Sequence, residues 1–523
     1  MAFVPNTIVK LLSVNFENDY KNVVFWGNPY ASRSEKNASL SSQQSEMESC
    51  VRHTFTEFTY QRKDNIIRIP AHIDTLYDCN YVMYRNKNHS ERWFYAFITD
   101  MEYINDHCTH VKIETDVWST WWDVLTINES FVEREHTNND VFGANTFPES
   151  LETGEYIVNS TSNGLPYEDN TIGYNTHIIL AVTEEADGTK GAGGLIGGVY
   201  SGVKYKWAGD VTAANNIVKS YNDAGKADAI QSIFMAPAWL TSVAIGSTFI
   251  PDSNEADTWD VNLGSPPTTI DGYSPRNKKL LCYPYSFLYL TNQQGSSAVY
   301  HNEKFYKSGN KRTFKGYGVL CPGCSIRMIP TDYNNMAFNT DEGINLGKFP
   351  ICNWNTDVYT NWITQNSVNV QSSGAFGLLN AGIGLLTGNA EAISNGLQST
   401  LGVVGEVQKH FITPDQSNGN VNCGDVVYAS KQNNFKWVDM SIKAEYARII
   451  DDFFDKYGYK TNRVKDLNMD HRPIWWFTKT IACNINAPVP QEDINRIRKM
   501  FDDGVTFWKR HTEVEHYELD NRI

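Results

Sequence analysis

Four kinds of signal are missing from this 523-residue sequence, and each absence closes a class of function. HExxH, GxSxG, GxxxxGK[ST] and GxGxxG do not occur in the strand-turn-helix setting that their chemistry needs, so catalysis has no support and the chain reads as a non-enzyme. A basic excess is missing as well. Lys and Arg number 45 against 60 Asp and Glu, a net charge of -15, which argues against a protein that grips nucleic acid by neutralising phosphates. Nine cysteines, an odd number scattered from Cys50 to Cys483, make no disulfide framework. Met1-Ala2-Phe3-Val4-Pro5 has no basic n-region and no long apolar run follows it, so no secretory signal is read and folding in a cytoplasm is expected. The Asn37-Ala38-Ser39 sequon then carries no meaning for glycosylation.

Charge itself is scarcest between Asp357 and Glu406, where Glu391 is the only formal charge. Phe376, Leu378, Leu379, Ile383, Leu385 and Leu386 make an apolar body interrupted by Gly374, Gly377, Gly382 and Gly384, and Thr387-Gly388-Asn389 supplies a turn. Ile393, Leu397, Leu401 and Val404 then recur at helical spacing opposite Ser394, Asn395, Gln398 and Ser399. The pattern predicts a helical hairpin with an uncharged polar face. Serine, asparagine and glutamine enter a lipid interface at lower cost than the Lys and Glu of an ordinary wet face. The first apolar run is only about half of the roughly 20 residues a spanning helix needs, so this is no resident transmembrane segment. A buried glycine-rich helical pair or a flexible loop is the plainer alternative.

The rest of the chain is rich in aromatics, 13% of residues, and its Tyr-, Trp-, Thr- and Val-rich runs predict a mainly β protein with α insertions, an α+β class. Strands are expected at 7–15, 23–26, 53–60, 65–70, 81–86, 92–98 and 110–115, in the succession of a sandwich or barrel. Residues 32–49 read as a polar loop and 130–158 as mostly loop. Asp116 is expected to cap a short helix carrying Val117, Trp118, Trp121 and Trp122. Residues 176–182 predict a strand, 188–202 a mobile glycine-rich loop, and 211–239 a helix broken near Gly225. Strands return over 241–333, with a hairpin turn at Cys321-Pro322-Gly323-Cys324, and again at 426–428 and 435–438. Residues 444–457 and 491–501 have the periodicity of amphipathic helices.

Few side chains group as ligands. Cys321 and Cys324 have zinc spacing without a second pair, which favours a structural turn. His107, Cys108 and His110 are too close in sequence to face one ion readily, so no metal is assigned and no cofactor is expected. Asp451, Asp452 and Asp455 are expected on a solvated helix face. Arg496, Arg498, Lys499, Lys509 and Arg510, interleaved with Asp502 and Asp503, suit a packing or subunit-contact surface better than a nucleic-acid patch.

Three blocks, VKIETDVWSTW (111–121), FVEREHTNNDVFGANTFPESLETGEYIV (131–158) and INRIRKMFDDGVTFWKRH (494–511), together resemble the tail knob proteins of small short-tailed phages of Gram-positive hosts, the phi29-type group. The resemblance implies a homohexameric tube of β-barrel-like domains at the distal end of a phage tail, assembled in the host cytoplasm, with double-stranded DNA passing through its lumen without specific binding. It also implies a mobile hydrophobic loop that plugs the tube and then perforates the host cytoplasmic membrane, corresponding here to about 374–407. Partners so implied are the lower collar or connector protein and a distal tail-tip or wall-degrading protein. The expected organisation is an N-terminal β tube domain (1–130), a middle β-rich knob region with a helical insertion (131–350), the membrane-active loop and its flanks (351–425), and a C-terminal α+β segment completing the tube (426–523). Phe376, Leu378, Leu379, Ile383, Leu385, Leu386, Ile393, Leu397, Leu401 and Val404 are the candidate membrane-inserting residues; Gly374, Gly377, Gly382, Gly384 and Gly388 are the candidate hinges. Two other readings stand beside this one. A tail-borne peptidoglycan hydrolase lacks a positioned acid and base, and a receptor- or wall-binding module would stack aromatic loops on sugars.

Overall fold

The computed structural model describes residues 7–353 and 435–521, except 57, 62–63, 87–91, 164–175, 189–193, 197–198, 202, 209–210, 227–228, 238–239, 241–247, 250–258, 306–310, 348, 350 and 468–475. It is mainly β and divides into two compact units: 1–153 with 275–280 and 444–523, and 154–274 with 281–443.

The first unit holds a seven-stranded sheet in the order Val51–Phe55, Thr7–Leu12, Tyr81–Asn86, Phe94–Asn105, Cys108–Thr115, Ile66–Ile69, Thr59–Gln61. Its two end strands do not pair with each other, so the predicted barrel is not closed among the described residues. Alternation does the folding: Val9, Leu11, Ile67, Ile69, Val82, Val111 and Ile113 are buried on one face. A five-stranded sheet of the same unit runs Asn22–Val24, Val505–Trp508, Trp476–Ile481, Ser130–Glu135, Tyr459–Lys465, and its one parallel pair joins the N-terminal strand to the C-terminal one. Trp118, Trp122, Trp476, Phe507 and Trp508 fill the core beside it. Asp116 caps Val117–Trp121 as predicted, accepting from the amides of Trp118 and Ser119 at 3.1 Å each and from the Tyr81 hydroxyl at 2.6 Å. Burial pushes this carboxyl above its usual range, and those three donors pull against the shift.

Several expectations are corrected. Residues 33–49 form a helix, Arg33–Ser49, started by a capping box in which Ser32 and Glu35 satisfy each other's backbone amides. It docks through a polar residue: buried Gln43 donates to Ser119 O at 2.8 Å and accepts from Trp122 Nε1 at 2.9 Å, which no apolar stripe announces. Residues 136–155 are loop as expected, but Ser130–Glu135 before them is a central strand, because pairing on both sides buries its Ser130 and Glu135. Gly194–Ile196 and Val199–Ser201 pair as a small hairpin where a mobile loop was expected. The helix predicted over 211–239 ends at Asp223, beside the break expected near Gly225, but beyond it Ile230–Pro237 is a strand paired with Thr176–Val182. A continuous apolar run suits either state, and the sheet decides it.

In the second unit three sheets enclose one aromatic core. The first runs Tyr156–Asn163, Lys436–Ile442, Ser286–Thr291, Ser297–Tyr300; the second runs Thr248–Phe249, Lys204–Ala208, Thr176–Val182, Ile230–Pro237, Ile351–Asn353. The third runs Trp259–Asn262, Thr313–Val319, Ser325–Tyr333, Met336–Phe338, with Ile344–Leu346 also on Ser325–Tyr333. Cys321 to Cys324 make the turn of the predicted hairpin, with Cys324 buried. The helix Val211–Asp223 buries Ala214, Val218 and Tyr221 against Ile178, Leu180 and Ile233 of the second sheet.

Candidate functional site

The candidate membrane-inserting residues Phe376, Leu378, Leu379, Ile383, Leu385, Leu386, Ile393, Leu397, Leu401 and Val404, and the candidate hinges Gly374, Gly377, Gly382, Gly384 and Gly388, lie outside the described residues, as does the predicted strand at 426–428. Their roots do not. The chain reaches residue 354 from the strand Ile351–Asn353, which pairs with Phe234, Ile233 and Ser232. It returns at Phe435 into the strand Lys436–Ile442, which pairs with Tyr156–Asn163 on one side and Ser286–Thr291 on the other.

Both roots belong to one hydrophobic cluster. Phe349 before the segment and Phe435 and Trp437 after it are all buried, together with Phe234, Leu288, Tyr300, Phe314 and Met328. Trp437 stands 5.7 Å from Phe314, 5.9 Å from Phe435 and 6.2 Å from Trp259, edge-on or tilted as ring quadrupoles prefer. The return strand is also pinned by charge. Asp439 pairs with Arg312, whose side chain is 5% exposed, and accepts from Ser160 Oγ at 2.8 Å. Arg312 Nη2 donates further to the carbonyls of Leu263 and Ser265 at 3.4 and 3.3 Å, so both terminal nitrogens of the fork have acceptors. Asn159 Nδ2 donates to Ser441 Oγ at 2.7 Å in the same ladder.

One residue beyond the return strand begins the helix Ala444–Tyr457. Here the expected solvated face of Asp451, Asp452 and Asp455 is corrected: Asp451 is 0% exposed and Asp455 is 9%, and only Asp452 faces solvent. Asp451 Oδ1 accepts from the Asn277 amide at 3.0 Å and from Asn277 Nδ2 at 2.7 Å, and its Oδ2 accepts from the Arg276 amide at 2.8 Å. Asp455 Oδ1 takes Asn277 Nδ2 at 2.7 Å. Burial opposes the charge of Arg276, but Asp452, Asp455 and Asp451 outweigh it and hold its guanidinium protonated above the usual range. Alongside, Lys279 pairs with Glu149 at 2.6 Å and lies 5.4 Å above both the Phe454 and Tyr459 rings. A helix face that reads as wet is a clasp for the segment 275–280. Gly458 ends the helix at φ +64, where a Cβ would lie 2.3 Å from the Glu135 carbonyl oxygen, so no other residue fits.

Of the basic residues near the C-terminus, Arg496 and Arg498 pack while Lys499, Lys509 and Arg510 are exposed. Arg496 pairs with Glu114 and donates to Thr115 O at 3.4 Å, and Arg498 donates to Ile485 O at 3.0 Å. Among the described residues no helix is long and apolar enough to cross a membrane. The returning root lies where the sequence predicts a strand, at 435–438, though it runs on to Ile442; the outgoing strand Ile351–Asn353 was missed, because its partner strand Ile230–Pro237 lies far along the chain.

Comparison with known proteins completes the description. Residues 247–522 match the family of the C-terminal domain of tail knob protein gp9 of Bacillus phage phi29, and residues 5–125 match the caudoviral major tail protein N-terminus. Tail knob protein gp9 of Bacillus phage PZA is 25% identical over 619 aligned positions covering 100% of both chains. The same protein of Bacillus phage B103 is 26% identical over 612 positions, again covering 100% of each. The solved structure of the bacteriophage C1 tail knob protein, gp12, superposes with a TM-score of 0.61 at 15% identity over 97% of each chain, a likeness of fold.

Proposed function

The chain belongs to the phi29-type tail knob family, a structural component of the phage tail and not an enzyme, and from that premise we propose that it closes the distal tail before infection and then opens the host membrane for genome ejection. As a tail component it assembles with other tail proteins in the virion. Six copies form the ring, joined to the lower collar on one side and to a distal tail-tip or wall-degrading protein on the other. Residues 374–407 plug the lumen and later insert into the host cytoplasmic membrane.

One observation carries this reading: a segment with a single charge between Asp357 and Glu406 is tethered at both ends to one buried aromatic core. A doubly rooted excursion can change environment while its roots stay folded. One hairpin buries too little to span a bilayer, whereas six around a ring pair their Ser/Asn/Gln faces inward and turn their Leu/Ile faces to lipid. The glycines permit close helix approach and bending at the tube mouth. The plugged and inserted arrangements are two packings of the same apolar faces. A net charge of -15 suits a lumen along which DNA slides, since a basic wall would bind the charge that duplex DNA carries about every 1.7 Å of its axis.

Replacing Leu379→Asp and Leu385→Asp together tests it. Particles should assemble with an unchanged tail and adsorb to cells, and genome delivery should be lost. Undiminished infectivity of the double variant contradicts the proposal.

A further inference from the structure

We propose that His53, Asp78 and Cys79 bind a borderline-soft divalent cation, zinc above calcium or magnesium. An imidazole nitrogen, a carboxylate oxygen and a sulfur, one from each residue, all lie within 4.8 Å of one another. With bonds of about 2.0–2.3 Å, the donor atoms of a tetrahedral zinc site stand roughly 3.5 Å apart. Cys79 Sγ and Asp78 Oδ1 are already 3.6 Å apart. Closing the site therefore asks for a side-chain adjustment on the order of 1 Å, against bond lengths that vary by a few tenths.

The backbone delivers these donors from the two flanks of one strand. His53 lies in the end strand Val51–Phe55, opposite Leu11 of Thr7–Leu12. On the other flank the Asn80 amide donates to Leu12 O at 3.0 Å, which fixes Cys79 next to it; the Cys79 amide is itself held by Leu76 O at 3.0 Å. The register slips between Leu11 and Leu12, and such irregularities re-aim side chains next to sites. The His53 ring is stacked at 24° on Phe55, with centroids 6.2 Å apart, which restrains its orientation.

The donor chemistry selects the ion. A thiolate with an imidazole favours zinc and its transition-metal neighbours, and an all-oxygen shell would be needed for calcium or magnesium. Cys79 is buried, so its sulfur closes the inner side of the site, while exposed Asp78 leaves the outer side open to a water as fourth ligand. Asp78 also meets Arg52 at 3.7 Å, but both side chains are more than half exposed and such a pair is worth little against a dication. Binding displaces the thiol proton to solvent, so that the Cys79 thiolate joins the Asp78 carboxylate as a charged ligand. Its structural effect is to fasten an end strand of the seven-stranded sheet across Thr7–Leu12, at the place where sheets are most open to wrong pairing.

Cobalt(II) titration of the full, reduced chain after chelator treatment tests the site. The expected result is a single equivalent bound with a near-ultraviolet thiolate-to-cobalt charge-transfer band that zinc abolishes. The band should be lost in Cys79→Ser and in His53→Gln; the second change is at a half-exposed position and keeps the fold, as circular dichroism would verify. Absence of the band in the unmodified chain overturns the proposal, and so does an equal band at equal cobalt affinity in either folded variant: in Cys79→Ser it would move the thiol ligand elsewhere, and in His53→Gln it would take the imidazole out of the site.

Discussion

The two ends of the charge-poor segment are held in opposite ways. Among the described residues the outgoing strand, Ile351–Asn353, has three residues and one neighbour at the end of its sheet. The returning strand, Lys436–Ile442, has seven residues, a neighbour on each side, a buried Trp437 and the buried Arg312–Asp439 pair. A segment that must leave its resting place without unfolding its domain needs one root that yields and one that holds. In the proposed release the outgoing strand would be the root that yields, having fewer backbone bonds to give up among the described residues.

The contrast can be broken by mutation, and the largest effects should fall on the returning strand. Asp439→Ala leaves the Arg312 guanidinium buried without its carboxylate and should cost about 3–5 kcal/mol in urea unfolding. Trp437→Ala opens a cavity among Phe314, Phe435 and Trp259 and should cost a similar amount, about 3–5 kcal/mol. If both variants unfold at the unmodified midpoint, the returning strand is not the anchor. Replacing Asp439 and Arg312 together with apolar residues of matching volume should recover most of the loss, because the cost lies in the orphaned charge.

The helix that follows in sequence, Ala444–Tyr457, has its own clasp within the first unit. Asp451→Ala strips the Arg276 and Asn277 amides of their acceptor and should destabilise the chain by about 2–4 kcal/mol, with faster proteolysis at 275–280 as the local readout. A loss within error would return these aspartates to the solvated face first expected of them.

A contact elsewhere in the first unit should respond to pH in a way that the returning strand, built without histidine, does not. His511 Nε2 lies 3.1 Å from Cys50 Sγ and its Nδ1 lies 3.0 Å from Glu46 Oε1. The hydrogen bond to Cys50, followed by that to Glu46, raises the His511 pKa from 6.5 to about 9. A raised folded-state value means that the stabilisation is complete below pH 6.5 and is lost as pH climbs through about 9. Its size is on the order of 1–3 kcal/mol. The urea midpoint should fall over that window, and His511→Gln should flatten the profile; a flat profile in the unmodified chain would contradict the assignment.

The smallest effect belongs to the outgoing strand. Cys352→Pro removes one backbone donor from a strand with a single neighbour among the described residues and should change stability by about 1 kcal/mol or less. An effect as large as that of Asp439→Ala would erase the difference between the roots.

Much of this architecture was legible from the chain alone, wherever the signal was local. The Asp116 cap, the helices at 444–457 and 491–503 and the hairpin at Cys321–Cys324 each follow from spacing or turn chemistry within a dozen residues. What escaped was burial carried by polar side chains. Gln43 docks a helix that looks too hydrophilic to dock, and Asp451 looks solvated until Arg276 and Asn277, far earlier in the sequence, are placed against it. Of the two roots the returning one was legible at 435–438, but its partners at 156–163 and 286–291 were not, and the outgoing strand Ile351–Asn353 escaped because its pairing with 232–234 is set by the fold. For the candidate site the missing charge between Asp357 and Glu406 was readable at once, because solubility rules act on composition and need no structure.

The central claim, that this charge-poor segment opens a membrane, is tested most directly by dye release from liposomes. The purified oligomer of the intact chain is compared with one in which residues 373–407 are replaced by a short Gly/Ser linker, with equal oligomer mass verified for both. Leakage from the intact chain alone is the result expected here. No leakage from either protein across a range of pH and lipid charge would contradict the claim and leave the segment as a plug, with membrane passage belonging to another protein.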